Sequence, residues 1–511
     1  MPPDPAPGQP GQLRFGTAGL RGPVRPGPGG MNDELVARAT WAVGEWLRAA
    51  GHGSATVVVG HDARHGSEDF FATTTQVLAA AGFDVVALPG TSPTPLVAFA
   101  CRDLAAAAAV QITASHNPAG DNGYKLYAGI GSDVAGAQIV GPADQQIEEL
   151  MYRAPTTIPR RPVAPDARAR HNRARYLDRL LTRFGRSPDP LRIALTPMHG
   201  VGGQIALGAL RNAGFDDVHV VDEQFAPDPD FPTVAFPNPE EPGATDRLLR
   251  LAAEIDADLA VALDPDADRC AIAIPEDGRW RLLTGDETGA ILAHRLAVPD
   301  GVVASSIVSG TLAAAVAAAA GARPARTLTG FKWLVRAGEP LVYAYEEAIG
   351  HCVDPDAIRD KDGIGTAVLL AQIAAGVRRD GRSLSSLLDD LSTRHGLHVT
   401  VGRSVPLTTP AAAAQTMTAL RGATTRTVAG IECALSDYAG RDDDLRTDAV
   451  EFTGSDGDTG LRALVRPSGT EPKLKVYVEV VMPFPPDPAT RRQTRREADA
   501  LARRAADALV R

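Results

Sequence analysis

The sequence predicts an α/β protein: three similar α/β modules in series, closed by a smaller α+β domain. Three observations predict it. Strand-like apolar runs alternate with helical stretches through most of the chain, the pattern of parallel strands joined by crossover helices. The C-terminal part switches to alternating strands without intervening helices. At 511 residues the chain exceeds a single hydrophobic core and fits roughly three or four domains.

The first module opens with Thr56-Val57-Val58-Val59, which ends at Gly60 and His61. A helical segment from Glu68 to Ala81 leads to the run Phe83–Leu88, completing one βαβ unit. The cycle returns at Leu191–Thr196, followed by Gly200-Val201-Gly202-Gly203, a helix through Asn212 and Val218–Val221. It returns again at Val302–Val308 with a helix from Thr311 to Ala320. The last domain reads as antiparallel strands at Val399–Leu407, Thr427–Leu435, Leu461–Val465 and Leu474–Val481, then a basic helix from Pro488 to Val510. Boundaries near Ser187-Pro188-Asp189-Pro190, Pro299-Asp300-Gly301 and Gly396 divide the chain into 1–187, 188–299, 300–396 and 397–511.

Composition narrows the function. Hydrophobic residues at 44% and charged residues at 22% are ordinary for a globular chain. No run approaches the ~18 apolar residues of a membrane span, and the start, Met-Pro-Pro-Asp-Pro-Ala-Pro, lacks a secretory signal's basic and apolar stretches. A net charge of −10 argues against nucleic acid or an acidic membrane as partner. The four cysteines (Cys101, Cys270, Cys352, Cys433) are widely separated, so neither a disulfide framework nor a zinc site is indicated. The expected location is the cytoplasm. Of 52 basic residues only Lys125, Lys332, Lys361, Lys473 and Lys475 are lysines; Lys332 and Lys473 fall in the segments below, and Lys361 in Arg359-Asp360-Lys361-Asp362-Gly363. A lysine in an arginine-using chain marks a position suited to a compact ammonium.

Five segments carry chemistry. Thr113-Ala114-Ser115-His116-Asn117-Pro118 follows the apolar run Ala108–Ile112, so Ser115 projects from a strand end, where α/β proteins place ligands. Alone, the segment is an ordinary turn composition; with its neighbours, the serine is a candidate nucleophile or phosphate carrier. It lacks the G-x-S-x-G pattern of a hydrolase elbow. Asp264-Pro265-Asp266-Ala267-Asp268-Arg269 lies between two apolar runs, and its alternate carboxylates can converge on a hard cation such as Mg2+. It is not an EF-hand, since Arg269 and Pro275 stand where Gly and Glu belong. Phe15-Gly16-Thr17-Ala18-Gly19-Leu20-Arg21-Gly22 offers close backbone approach and an arginine for phosphate. Gly330-Phe331-Lys332-Trp333 and Tyr345-Glu346-Glu347-Ala348-Ile349-Gly350-His351 suit recognition of sugar hydroxyls. Arg466-Pro467-Ser468-Gly469-Thr470-Glu471-Pro472-Lys473 combines arginine, hydroxyls and backbone N–H groups as a phosphate cradle, without the order of a Walker A loop.

Taken in this order, the segments resemble the α-D-phosphohexomutase superfamily along nearly the whole chain. Residues 113–118 look like its phosphoserine loop, 264–269 like its metal loop and 466–472 like its phosphate-binding loop. The resemblance implies four domains around a central cleft, three of them related α/β modules with mixed sheets. It implies Ser115, Lys125, Arg21 and His116 as catalytic residues. It implies that Asp264, Asp266 and Asp268, with phosphorylated Ser115, hold one Mg2+ per chain, and that Arg269, Lys332, Glu347, His351, Arg466, Ser468, Gly469 and Thr470 bind substrate. The expected substrates are phosphosugars, with a sugar bisphosphate as activator and intermediate, and the chain a monomer or homodimer. Phe-Gly-Thr-Ala-Gly-Leu-Arg-Gly, Thr-Leu-Thr-Gly-Phe-Lys-Trp and Glu-Glu-Ala-Ile-Gly resemble the phosphoglucomutase/phosphopentomutase branch. Ile349 stands where the commoner Gly-Glu-x-Ser-Gly pattern has serine, so a hexose contact is missing or replaced.

Overall fold

The first apolar run forms the strand Thr56–His61, buried from Val57 onward because parallel neighbours flank it, Asp84–Ala87 on one side and Ala108–Ile112 on the other. The next strand reverses direction. Asp121–Ala128 pairs antiparallel with Ala108–Ile112, so residues 113–120 are a short excursion at a strand end rather than a crossover. Leu20–Pro23 adds an antiparallel edge, making the sheet mixed. The helices Asp33–Ala49, Ser67–Ala80 and Thr94–Asp103 accompany it. The first of them starts at Asn32, whose side chain accepts the Leu35 N–H at 2.9 Å and satisfies one of the end's free donors. The computed structural model describes residues 13–14, 19–407, 409–422, 425–468 and 473–509.

The second sheet has the spatial order Arg279–Leu282, Cys270–Glu276, Leu259–Leu263, Ile193–Thr196, Val218–Val220. Leu259–Leu263 runs parallel to Ile193–Thr196 and antiparallel to Cys270–Glu276, with Leu263 opposite Cys270. The acidic segment 264–269 is therefore the turn of a β-hairpin with buried arms, pressed on by backbone from two sides. A Cβ on Gly200 would sit 2.4 Å from Pro265 Cα, and one on Gly363 would sit 2.5 Å from the Arg269 carbonyl oxygen. Only glycine permits that approach.

Residues up to Leu283 form one compact unit with Gly330–Arg336 and Tyr343–Gly381. In it, the strand ending at Glu346 pairs antiparallel with Gly350–Cys352, leaving 347–349 as the turn. The helix Gly363–Arg379 begins at Asp362, whose carboxylate accepts the Gly365 N–H and the Tyr176 hydroxyl, each at 2.8 Å.

The second unit comprises Thr284–Thr329, Ala337–Val342 and the chain from Arg382 onward. It holds the parallel pair Val302–Ser306 and Arg323–Thr327 and a six-stranded antiparallel sheet. That sheet runs Leu397–Pro406, Lys473–Met482, Thr459–Pro467, Val450–Asp456, Ile431–Asp437, Thr425–Val428. The strand Val450–Asp456 was not read from the sequence: only Val450 and Phe452 mark its buried face, and its end is polar. The closing helix Pro488–Ala508 buries Ala498, Leu501, Ala502, Ala505 and Ala506, an i, i+3, i+4 stripe that overrides its arginine-rich composition. Among the described residues no helix is long and apolar enough to cross a membrane.

Candidate active site

Ser115 occupies the excursion after Ala108–Ile112 with φ of 54°, a left-handed conformation unusual for a residue with a side chain. Its N–H donates to Thr113 Oγ1 at 2.9 Å, which stabilises the bend locally. The Ser115 hydroxyl donates to Asp264 Oδ2 at 2.9 Å and lies 3.1 Å from His116 Nδ1. Burial and the neighbouring Arg269 and Arg21 push the His116 pKa well below its ordinary value, so the imidazole is neutral.

Asp264, Asp266 and Asp268 are buried, and each offers a carboxylate oxygen within 4.8 Å of the others. Asp264 also accepts the Arg269 N–H at 2.9 Å; burial and the two neighbouring carboxylates raise its pKa well above the usual range. Burial and Asp268 push Asp266 up, but Lys125 and Thr94 outweigh them and hold it low. Against burial, Lys125, Lys361 and Arg269 hold Asp268 lower still. Asp266 Oδ1 and Asp268 Oδ1 are buried without a hydrogen-bond partner among the described residues. An all-oxygen donor set with two orphaned buried acceptors fits a hard divalent cation.

Lys125 Nζ donates to Asp266 Oδ2 at 2.7 Å and Asp268 Oδ2 at 2.8 Å, and Lys361 Nζ lies 3.1 Å from the same Asp268 oxygen. As a catalytic base, Lys125 would need a lowered pKa. Burial does lower it, but Asp266 and Asp268 outweigh burial and raise it. As placed, Lys125 is a source of positive charge rather than a proton acceptor.

The other expected residues divide into groups. Arg21 donates to Asn117 Oδ1 at 3.0 Å, on the Ser115 loop. Arg269 lies 3.8 Å from Glu240 and 4.0 Å from Asp268. Lys332 is buried on the short helix Phe331–Leu334, its ammonium 5.5 Å from the Trp333 ring centre, and burial lowers its pKa. Glu347 lies in the turn after Glu346, partly exposed. Arg466 and Ser468 belong to the second unit, where Arg466 donates to the Tyr477 hydroxyl at 3.3 Å and the Ser468 N–H to the Lys473 carbonyl at 2.8 Å. Gly469 and Thr470 lie outside the described residues.

His351 differs from its expected environment. It is 1% exposed and stacked parallel to Tyr343 and Tyr345, with Nδ1 2.8 Å from the Tyr343 hydroxyl. Strand alternation explains this, since Tyr345 is its direct cross-strand partner. Three residues outside the expected set stand beside the carboxylates or the sugar segments. Thr94 grips Asp266 twice, Oγ1 to Oδ2 at 2.6 Å and N–H to carbonyl at 2.9 Å. Lys361 was visible as a rare lysine. Glu346, the buried member of its pair, accepts the Gly330 N–H at 2.7 Å and joins the two candidate sugar segments.

The sequence matches the phosphoglucomutase/phosphomannomutase alpha/beta/alpha domain I over residues 12–156, domain II over 174–278 and domain III over 284–395, and that family's C-terminal domain over 407–483. It is 35% identical to a Haemophilus influenzae protein named "Probable phosphomannomutase", over 88% of this chain and 93% of that protein. It is 32% identical to the Staphylococcus epidermidis phosphoglucomutase, over 92% of this chain and 90% of that one. It is also 32% identical to the human phosphopentomutase, over 92% and 85% respectively. The fold matches a phosphoglucomutase/phosphomannomutase family protein from Burkholderia thailandensis with a TM-score of 0.70, covering 96% of each chain at 20% identity.

The burial of His351 predicts a pH effect. Burial depresses its pKa to about 3, against 6.5 for the free side chain, so protonation favours the unfolded chain. The contribution is complete above about pH 6.5 and is lost as pH falls toward about 3. Between pH 7 and pH 5 the wild type should lose about 2 kcal/mol more unfolding free energy than His351→Gln. Urea titrations of both proteins at the two pH values measure this difference.

Proposed function

The chain belongs to the phosphoglucomutase/phosphomannomutase family and is an intramolecular phosphotransferase, and we propose that it moves phosphate between C1 and C6, or C1 and C5, of a sugar through phosphorylated Ser115. One observation carries the assignment: the Ser115 hydroxyl, held in a left-handed turn, donates directly into the buried Asp264/Asp266/Asp268 triplet. A serine placed for turn formation alone has no use for that contact.

Asp264, Asp266 and Asp268 would hold Mg2+, which when bound supplies positive charge against the phosphoryl oxygens. The chain's residues supply the rest. Phospho-Ser115 gives its phosphoryl group to the free sugar hydroxyl, whose proton leaves to a base, and a sugar bisphosphate forms. After reorientation Ser115 takes the other phosphate back. Phosphoryl transfer rests mainly on positioning and charge stabilisation, and Lys125, Lys361 and Arg269 gather cationic charge at this point. His116 is neutral and its Nδ1 lies 3.1 Å from Oγ, so it can hydrogen-bond the serine, while the burial and arginines that keep it neutral make it a weak proton acceptor. Arg21 braces the loop through Asn117, and Lys332 and Glu347 face the sugar. Arg466 and Ser468 are the proposed holders of the non-reacting phosphate, whose binding energy is available to the transfer step. The working location is the cytoplasm.

Glucose and mannose phosphates are the primary candidates. Ile349 favours a pentose phosphate as the second reading: it is buried among Met198, Ala262 and Ala271 and brings no hydroxyl to the sugar turn.

Ser115→Ala is expected to lower mutase turnover by at least roughly a thousandfold while far-UV circular dichroism is unchanged. Near-normal turnover in a coupled assay would refute the carrier role. Comparison of kcat/KM for glucose 1-phosphate, mannose 1-phosphate and ribose 1-phosphate, with bisphosphate present, tests the sugar. A hexose should lead by about tenfold or more, the low end of what one extra carbon contributes to discrimination; a lead for ribose 1-phosphate would establish the pentose reading.

A further inference from the structure

Arg64 follows the first strand by three residues and is 4% exposed. Its guanidinium is spent on one object, the backbone of the Ser115 loop. Nη2 donates to the carbonyl oxygens of Ser115 at 2.6 Å and Asn117 at 2.7 Å. Nη1 donates to those of Pro118 at 2.8 Å and Asp121 at 3.2 Å. Four carbonyls at this strand end, one of which (Pro118) also accepts the Asp121 N–H at 3.0 Å, thus converge on one planar cation.

The guanidinium is itself fixed. Asp62 lies 3.4 Å from Nε, and the same carboxylate accepts the Arg64 N–H at 3.0 Å and the Ser67 hydroxyl at 2.6 Å. The Phe231 ring covers the guanidinium, 4.9 Å away. The Asp62 N–H donates to the Ile112 carbonyl at 3.0 Å, tying the base of this arm to the strand that launches the serine loop.

We propose that Arg64 is the positioning residue of the phosphoserine loop, holding Ser115 in its left-handed turn by drawing the loop's carbonyls to one side; this rests on the phosphoserine reading above. A trans peptide points its C=O and N–H in opposite directions. Drawing the Ser115 carbonyl toward Arg64 therefore turns the His116 N–H away from it. No partner takes that N–H among the described residues, and it is a ready donor to a phosphoryl oxygen on Ser115. Lysine cannot substitute. Its ammonium has three tetrahedrally arranged donors, one fewer than the four carbonyls that Nη1 and Nη2 take.

The test compares wild type, Arg64→Lys and Arg64→Ala, all full-length. Intact-mass spectrometry after incubation with glucose 1,6-bisphosphate reads the rate of Ser115 phosphorylation, and steady-state kinetics with glucose 1-phosphate reads kcat and KM. Both variants are expected to lose about a hundredfold in kcat and in phosphorylation rate, the scale of a misplaced reacting group, with KM nearly unchanged. Arg64→Lys is the decisive variant because it keeps the charge. Wild-type kcat in Arg64→Lys, or a loss appearing in KM alone, overturns the proposal. So does failure of both variants to fold, which would make the role purely structural. Absence of phosphate on Ser115 in the wild type would instead defeat the phosphoserine reading, and this inference with it.

Discussion

Three carboxylates confined to one buried hairpin turn are the constraint to which the rest of the site answers. With oxygens within 4.8 Å, each ionised pair repels by roughly 3 kcal/mol at an effective dielectric near 20. The fold tolerates this only by bringing positive charge from elsewhere in the sequence. Lys125 comes from the neighbouring sheet, Lys361 from the segment before a helix and Arg269 from the turn itself. Ser115 enters as a hydrogen-bond donor to the least acidic member, Asp264.

The consequences for chemistry are uneven. Lysines that neutralise carboxylates are poor bases, because the anions that attract them also hold their protons. His116 is kept neutral by burial and nearby arginines against the pull of Asp268, and the same surroundings resist its protonation. The turn expected to recognise the sugar lies against this cluster, with an antiparallel bridge between Arg269 and Gly350 and the Cys270 N–H donating to the Ile349 carbonyl at 3.2 Å. In that turn, residues 347–349, a β-branched isoleucine at positive φ is buried in the core, and Glu346 ties the start of the turn to Gly330. That turn is built for rigidity of backbone rather than for a side-chain hydroxyl.

Much of this was legible in the sequence. Alternating apolar runs located the strands beside Ser115 and the Asp triplet, and unusual residue types, lysine among arginines and aspartate between apolar runs, marked the charged cluster. What escaped shares a physical cause. Arg64 looked like any other arginine, since its importance lies in backbone carbonyls that carry no sequence signature. Thr94 and Asp266 are 172 residues apart, and nothing local announces their contact. His351 belongs to a motif yet is claimed by cross-strand packing against Tyr345, an outcome that depends on register rather than composition. Val450–Asp456 was overlooked because half of an antiparallel strand is free to be polar.

The central claim is that phosphate passes through Ser115 itself. A single-turnover experiment with radiolabelled phospho-Ser115 and unlabelled glucose 1-phosphate tests it most directly. The account predicts that label leaves the protein at a rate at least equal to kcat and appears first in sugar bisphosphate. Label released as inorganic phosphate, or retained on the protein through many turnovers, would contradict it.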